Sequence, residues 1–208
     1  MQLIKPYYKI ETCFNSEEML QAIERAGRTC YKSEDRITPM SAVKFIKMLI
    51  DRGHESVLEH EKITVRFIVD RGVSHEIVRH RISSFSQEST RYCNYGKGKF
   101  GAELTFIHPC WEMNDQTRHM FIDSLKYAEA YYMALLDLGW TPQEARSVLP
   151  NALKTEIVVT SNLRQWREIF RQRTSKAAHP QMREVMIPLL AELQRRIPII
   201  FDDIKANQ

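Results

Sequence analysis

An α+β fold, with an antiparallel or mixed sheet and a large helical portion, is what this sequence predicts, and three observations carry the expectation. Segments with a two-residue apolar period are mixed with segments of helical period, in an order that never becomes regular strand–helix alternation. That argues against a doubly wound parallel sheet. No Gly-x-Gly-x-x-Gly run and no phosphate-loop lysine motif occurs, so any nucleotide bound here needs a different cradle. Finally, 208 residues with 43% hydrophobic content, seven glycines and eight prolines suit a single domain over residues 1–208, without a low-complexity section.

Residues 7–14 read as a strand from their β-branched and aromatic content. Ser16-Glu17-Glu18 opens a helix to Arg28, with Met19, Leu20, Ile23 and Ala26 facing inward. Thr38-Pro39 suits the cap and first turn of a helix over 40–52, whose stripe is Ala42, Val43, Phe45, Ile46, Leu49 and Ile50. Gly53 ends it. Residues 62–69 form the clearest strand, alternating at Ile63, Val65 and Phe67 before turning wholly apolar. Asp70-Arg71-Gly72 then turns into a short helix over 73–80, anchored by Val73, Ile77 and Val78. A hydroxyl-rich loop follows.

Residues 104–108 read as a strand stopped by Pro109, and residues 114–138 as a long helix closed by Gly139. Thr141-Pro142-Gln143-Glu144 is a capping box with proline at the first helical position, opening a helix to Ser147 or Val148. Residues 154–160 are a strand, and 162–173 and 180–195 are helices.

The formal charge of +4 is modest, and no run of five or six basic residues marks a nucleic-acid track. The N-terminal Met1-Gln2-Leu3-Ile4-Lys5-Pro6 lacks a signal peptide's apolar core, and no apolar stretch is long enough to cross a bilayer. The expected setting is cytoplasmic, with neither nucleic acid nor membrane as a partner. Cysteines at 13, 30, 93 and 110 form no Cys-x-x-Cys pair, so free thiols and no metal site are expected. His75-Glu76-Ile77-Val78-Arg79-His80 resembles a zinc-protease motif, but its histidines are five apart rather than four. On a helix the extra residue rotates the second imidazole by about 100°, off the shared face.

The chemistry concentrates in Arg79-His80-Arg81-Ile82-Ser83-Ser84-Phe85-Ser86-Gln87-Glu88-Ser89-Thr90-Arg91-Tyr92. Guanidinium forks suit phosphate or carboxylate, while the amide and hydroxyls can read a polar heterocycle. The run points to a phosphorylated polar ligand; a solvated loop is the plainer alternative. Elsewhere, His54, Ser56, Glu59 and His60 crowd a helix end, as a ligand wall or a surface turn. Arg164, Arg167 and Arg171 share a helical stripe that fits a polyphosphate, an acidic neighbouring subunit or an exposed face. On local grounds Arg146 reads as a surface or salt-bridge arginine and His179 as a capping or surface histidine. Cys93 lacks a paired base and Ser89 lacks a Ser-His-Asp arrangement, so neither reads as a nucleophile.

Taken together, these residues resemble the flavin-dependent thymidylate synthases. That family is marked by Arg-His-Arg, seven residues, then Ser-x-Arg-Tyr, and this chain has Arg79-His80-Arg81, then Ser89-Thr90-Arg91-Tyr92. Gly53-His54-Glu55-Ser56-Val57-Leu58-Glu59-His60 resembles the family's upstream segment. Ala145-Arg146-x-Val148-Leu149-Pro150, then Asn162 with Arg164, then Arg173 with His179, follow in the family's order.

The resemblance implies reductive methylation of deoxyuridine monophosphate (dUMP) at C5 to thymidine monophosphate. It also implies FAD as cofactor, with NADPH and methylenetetrahydrofolate as co-substrates, and a homotetramer whose active sites are shared between chains. By the same resemblance, the substrate set is Glu76, Arg79, Gln87, Glu88, Ser89, Thr90, Arg91, Arg146 and Arg173. The cofactor set is Ser56, Glu59, Arg79, His80, Arg81, Asn162, Arg164 and His179. Arg173, Ser89 and His54 are the candidate catalytic groups, with no metal. Many relatives carry Asn-Glu where this chain has Ser86-Gln87, which leaves open whether Gln87 or Glu88 faces the uracil. Three other classes explain parts of the pattern: an RNA-binding module, a flavin reductase without methyl transfer, and a structural oligomer.

Overall fold

A computed structural model describes residues 1–98 and 101–206. The architecture is α+β, with a two-stranded sheet and a four-stranded sheet of order β2-β3-β6-β4. The strands are β1 (Gln2–Ile4), β2 (Tyr7–Ile10), β3 (Lys62–Asp70), β4 (Ser84–Gln87), β5 (Thr105–Ile107) and β6 (Lys154–Asn162). The helices are α1 (Ser16–Thr29), α2 (Ser41–Asp51), α3 (Arg71–Ile77), α4 (Asp115–Asp137), α5 (Pro142–Ala145), α6 (Leu163–Arg173) and α7 (Pro180–Arg196). The chain divides into two compact units made of interleaved segments: Met1–Tyr7, Phe67–Arg79 and Ser86–Ile157 form the first, and Tyr8–Arg66, His80–Phe85 and Val158 onward form the second.

In the first unit β1 lies parallel to β5, pairing Leu3 with Phe106. The core is Tyr95, Leu104, Phe106, Leu125, Tyr132, Ala145 and Leu153. Helix α4 contributes Leu125 and Tyr132 to it and is capped by Asn114, whose side chain accepts from the Thr117 N–H at 2.8 Å. The capping box at α5 forms as its sequence predicts: Glu144 reaches back to the Thr141 N–H at 2.8 Å.

In the second unit, Ile23, Ile46, Leu58, Ile63, Trp166, Phe170, Leu189 and Phe201 are buried. Trp166 satisfies its indole N–H on the Ile63 carbonyl at 3.0 Å, so a polar ring edge is buried without cost to the core. Glu24 is buried too, answered by Arg28 at 2.8 Å and by the Ser41 hydroxyl at 2.8 Å.

Several expectations are corrected. The strand expected over 7–14 ends at Ile10, and β1 was not anticipated. Helix α1 opens at Ser16 as expected, with Asn15 as its cap, but Ala26 is only half-buried. Helix α2 starts at Ser41, not Met40, and Val43 is exposed because it lies on the far side from Phe45 and Leu49. The short helix expected over 73–80 spans Arg71–Ile77 instead, because Asp70 caps it by accepting from the Val73 N–H at 2.8 Å. Gly72 is therefore helical, Val78 is exposed, and Arg79, His80 and Arg81 lie beyond the helix. The hydroxyl-rich segment is not all loop, since Ser84–Gln87 forms strand β4.

Candidate active site

Strand β4 delivers Gln87 to the first unit. Its Nε2 donates to Ser74 Oγ at 2.8 Å and to Thr155 Oγ1 at 3.2 Å, both on buried residues. Ser74 spends its own proton on the Arg71 carbonyl at 2.9 Å, so it must accept from Gln87. That identifies the nitrogen and leaves the Gln87 amide oxygen as the acceptor available to a ligand. Glu88 is engaged differently: it accepts from the Tyr95 hydroxyl at 2.8 Å, from Lys154 Nζ at 2.9 Å and from the Glu156 N–H at 3.2 Å. Burial and this carboxylate together push the Tyr95 phenol pKa well up.

A tight turn follows, in which the Ser89 carbonyl accepts from the N–H groups of Tyr92 and Cys93 at 3.1 and 2.9 Å. Thr90 is buried, and Arg146 Nη1 reaches its hydroxyl at 3.4 Å. Arg91 donates to Gln143 at 3.1 Å and lies over the Tyr92 ring. A cavity of about 260 Å³ opens beside this turn, lined among others by Arg71, His75, Thr90, Arg146, Ser147 and Asn151. Among the described residues, neither Arg71 nor Arg146 forms an ion pair with a carboxylate. Two guanidiniums beside a hydroxyl make an anion-binding wall.

Arg71 and His75 were missed from the sequence. Arg71 looked like part of a turn, and His75 entered only through a metal motif that fails on spacing. The helical period from Arg71 to His75 was the signal, since residues four apart share a face. Glu76 is half-buried and Arg79 exposed in the same unit.

The second unit holds the other set. Arg173 Nε donates to His80 Nε2 at 2.9 Å, and His80 is only 6% exposed. Burial, and then the Arg173 charge, hold the His80 pKa down to about 4. The imidazole is therefore neutral near pH 7, with its proton on Nδ1. A second cavity, of about 400 Å³, is lined among others by Glu55, Glu59, Ile82, Asn162, Arg164 and Arg171. Arg164 meets Glu59 at 2.5 Å, and Arg171 meets Glu55 at 2.8 Å. Burial works against Glu55 ionising, but its hydrogen bonds from Arg171 and Arg167 still hold its pKa below the usual carboxylate range.

His54 and Ser56 are exposed on the 3-10 turn Glu55–His60 and its leading residue. Arg81 is exposed, and His179 is exposed at the N-cap position of α7, where its side chain makes no capping hydrogen bond. Asn162 spends its side-chain oxygen capping α6, on the Gln165 N–H at 2.8 Å. The arginine stripe is corrected here. Arg167 is fully buried, bonded to Glu55 at 3.0 Å, to Asp203 at 2.7 Å and to the Ile200 carbonyl. It is a structural ion cluster rather than a ligand arm or an exposed face.

The fold is shared with solved structures. A UMP/dUMP methylase from Streptomyces cacaoi, bound with 5-bromo-dUMP, superposes with a TM-score of 0.81 at 22% identity, covering 97% of this chain and 96% of that one. Thymidylate synthase X from Helicobacter pylori, with FAD and dUMP, gives 0.76 at 21% identity over 96% and 98%. At the sequence level, a flavin-dependent thymidylate synthase of Corynebacterium diphtheriae is 32% identical over 96% of this chain and 84% of its own length. That of Mycobacterium tuberculosis is 33% identical over 89% and 79%. Residues 14–199 match the family described as thymidylate synthase complementing protein, and the chain belongs to that family.

Proposed function

We propose that this protein is a flavin-dependent thymidylate synthase, converting dUMP to thymidine monophosphate with methylenetetrahydrofolate as one-carbon donor and NADPH as reductant. The observation that carries the nucleotide assignment is the cavity beside the Ser89–Tyr92 turn, where Arg71 and Arg146 present guanidiniums that have no carboxylate partner among the described residues, next to the Thr90 hydroxyl. A phosphate monoester there gains charge-assisted hydrogen bonds. The amide oxygen of Gln87 suits a pyrimidine N3–H, so Gln87 rather than Glu88 reads the base. Ser89, Arg91, Glu76 and Arg79 complete the substrate set, with Ser89 orienting rather than attacking.

The residues of the second unit fit FAD. The Arg164–Glu59 pair is about half exposed, so its net worth is small and a flavin pyrophosphate can take over the guanidinium at little cost. Arg164, Asn162, Ser56, Glu59, His80, Arg81 and His179 would hold the cofactor. FAD, when bound, supplies the hydride that completes the methyl group. Arg173, held by neutral His80, and His54 are the catalytic candidates of the second unit, and the Arg173 guanidinium is chemically suited to stabilise negative charge that develops on a pyrimidine.

The active unit in this reading is a homotetramer with sites shared between chains, in which residues 1–208 work as one functional domain. Its support is the row Met120, Tyr127 and Tyr131 on α4 with Leu138 at its C-cap, each more than 60% exposed and spaced along one helical face. Among the described residues no helix is long and apolar enough to cross a membrane. The four free cysteines suit a reducing, cytoplasmic setting.

The test is an absorption spectrum of purified protein with FAD, before and after dUMP, followed by product analysis with both co-substrates supplied. A flavin spectrum perturbed by the nucleotide, and thymidine monophosphate formed, are expected. Flavin reduction by NADPH that proceeds without nucleotide methylation would replace this reading with a flavin reductase.

A further inference from the structure

Glu88 stands between Gln87 and Ser89, so its carboxylate looks at first like one more ligand for the pyrimidine. Its surroundings say otherwise. One oxygen takes the Tyr95 hydroxyl at 2.8 Å, and the other takes Lys154 Nζ at 2.9 Å and the Glu156 N–H at 3.2 Å. The Glu88 side chain is 12% exposed and that of Lys154 18%. The main chain is tied at the same point, since the Glu88 N–H donates to the Glu156 carbonyl at 2.8 Å and its own carbonyl receives Arg71 Nη1 at 3.5 Å. Tyr95 is itself buried in the core, its ring tilted against Tyr132 at 5.9 Å.

We propose that Glu88 is a positioning residue: with Lys154 and Tyr95 it fixes the chain as it leaves β4, and so aims Ser89, Thr90 and Arg91 at the nucleotide. The proposal rests on the nucleotide reading above. Glu88, Tyr95 and Lys154 line a small polar pocket with Gln2, Glu103 and Thr105, whereas Thr90 and Arg146 line the larger cavity assigned to phosphate. Lys154 balances both Glu88 and Glu156, at 2.9 and 3.0 Å. Removing its charge leaves a largely covered carboxylate without a counter-ion, and the backbone must yield to rehydrate it. The Ser89 turn begins at the next residue, so it moves with that backbone. Small displacements of groups that orient a substrate carry large kinetic penalties.

The experiment measures dUMP affinity of the FAD-loaded protein, FAD affinity, and kcat and KM, for Glu88→Ala, Glu88→Gln, Lys154→Met and Tyr95→Phe. Lys154→Met and Tyr95→Phe should each weaken nucleotide binding by roughly tenfold, as expected when a charged or buried hydrogen bond is lost. KM should rise more than kcat falls, and FAD affinity should stay unchanged. Glu88→Gln should lose less than Glu88→Ala, because its amide oxygen still accepts from Tyr95. Adding Lys154→Met to Glu88→Gln should cost little more, as expected for partners in one network. A large loss in Glu88→Ala, with Lys154→Met and Tyr95→Phe binding as wild type, would make Glu88 a direct ligand and overturn the proposal alone. Wild-type protein that takes up FAD but no dUMP would overturn the nucleotide reading, and this proposal with it.

Discussion

Arg173 donates its Nε–H to Nε2 of His80 at 2.9 Å, and this pairing requires the imidazole to be neutral. A protonated ring would have a donor where the guanidinium needs an acceptor, and two cations would face each other in a buried place.

Acid lability follows from this pairing. The folded-state pKa of His80 is depressed from 6.5 to about 4 by burial first and by Arg173 second. Its stabilising contribution is therefore whole above pH 6.5 and is lost as pH falls towards 4, because the unfolded chain binds the proton first. The loss should be on the order of 3 kcal/mol. Urea midpoints measured between pH 7.5 and 4 should show a slope that flattens in His80→Gln; an unchanged slope in that variant would remove His80 as its source.

Arg167 should be more sensitive to substitution than any exposed arginine. Its side chain is fully buried, with Glu55 and Asp203 as counter-ions. Arg167→Ala removes the buried guanidinium from two carboxylates that keep only Arg171, at 2.8 Å from Glu55 and 3.7 Å from Asp203, and should destabilise the fold by about 1.5–3 kcal/mol. Arg167→Lys should not restore it, since one ammonium cannot reproduce the forked contacts. Thermal unfolding of both variants checks this, and a wild-type melting temperature in either would contradict it.

Gly27 is present because α1 and α2 approach closely. A Cβ there would lie 2.8 Å from Phe45 Cε1 and 3.2 Å from Leu49 Cδ1. Overpacking typically costs about 1–3 kcal/mol, against a helix-propensity gain of about 0.5–1 kcal/mol for alanine. Gly27→Ala should lower stability in denaturant titration, and a stabilised variant would show that the ring gives way freely.

Arg71 and Arg146 should act together on the nucleotide. Loss of one hydrogen bond to a charged group costs about 1.5–3 kcal/mol. Arg71→Ala and Arg146→Ala should each weaken dUMP binding by roughly tenfold or more while FAD uptake persists. Calorimetric titration with unchanged affinity in both would remove the phosphate from this cavity.

The sequence by itself determined what depends on near neighbours. The helical periods, the Thr141–Glu144 capping box and the burial of Ile63, Val65 and Phe67 along β3 are short-range patterns, and they appear as expected. The order of arginines, histidines and hydroxyls from 79 to 92 is likewise a property of the linear chain, and it pointed to the family before any fold was known. Tertiary structure alone decided which of those groups have partners. Arg164, Arg167 and Arg171 are equivalent by spacing, yet Arg167 is buried because Glu55 and Asp203 arrive from 112 and 36 positions away. Ser84–Gln87 reads as loop by composition and becomes a strand, because pairing in a sheet is settled by backbone groups on a distant segment. Arg71 shows both sides: its helical spacing to His75 was legible, but its lack of a counter-ion among the described residues was not. A charge is free or paired according to what the folded chain brings beside it.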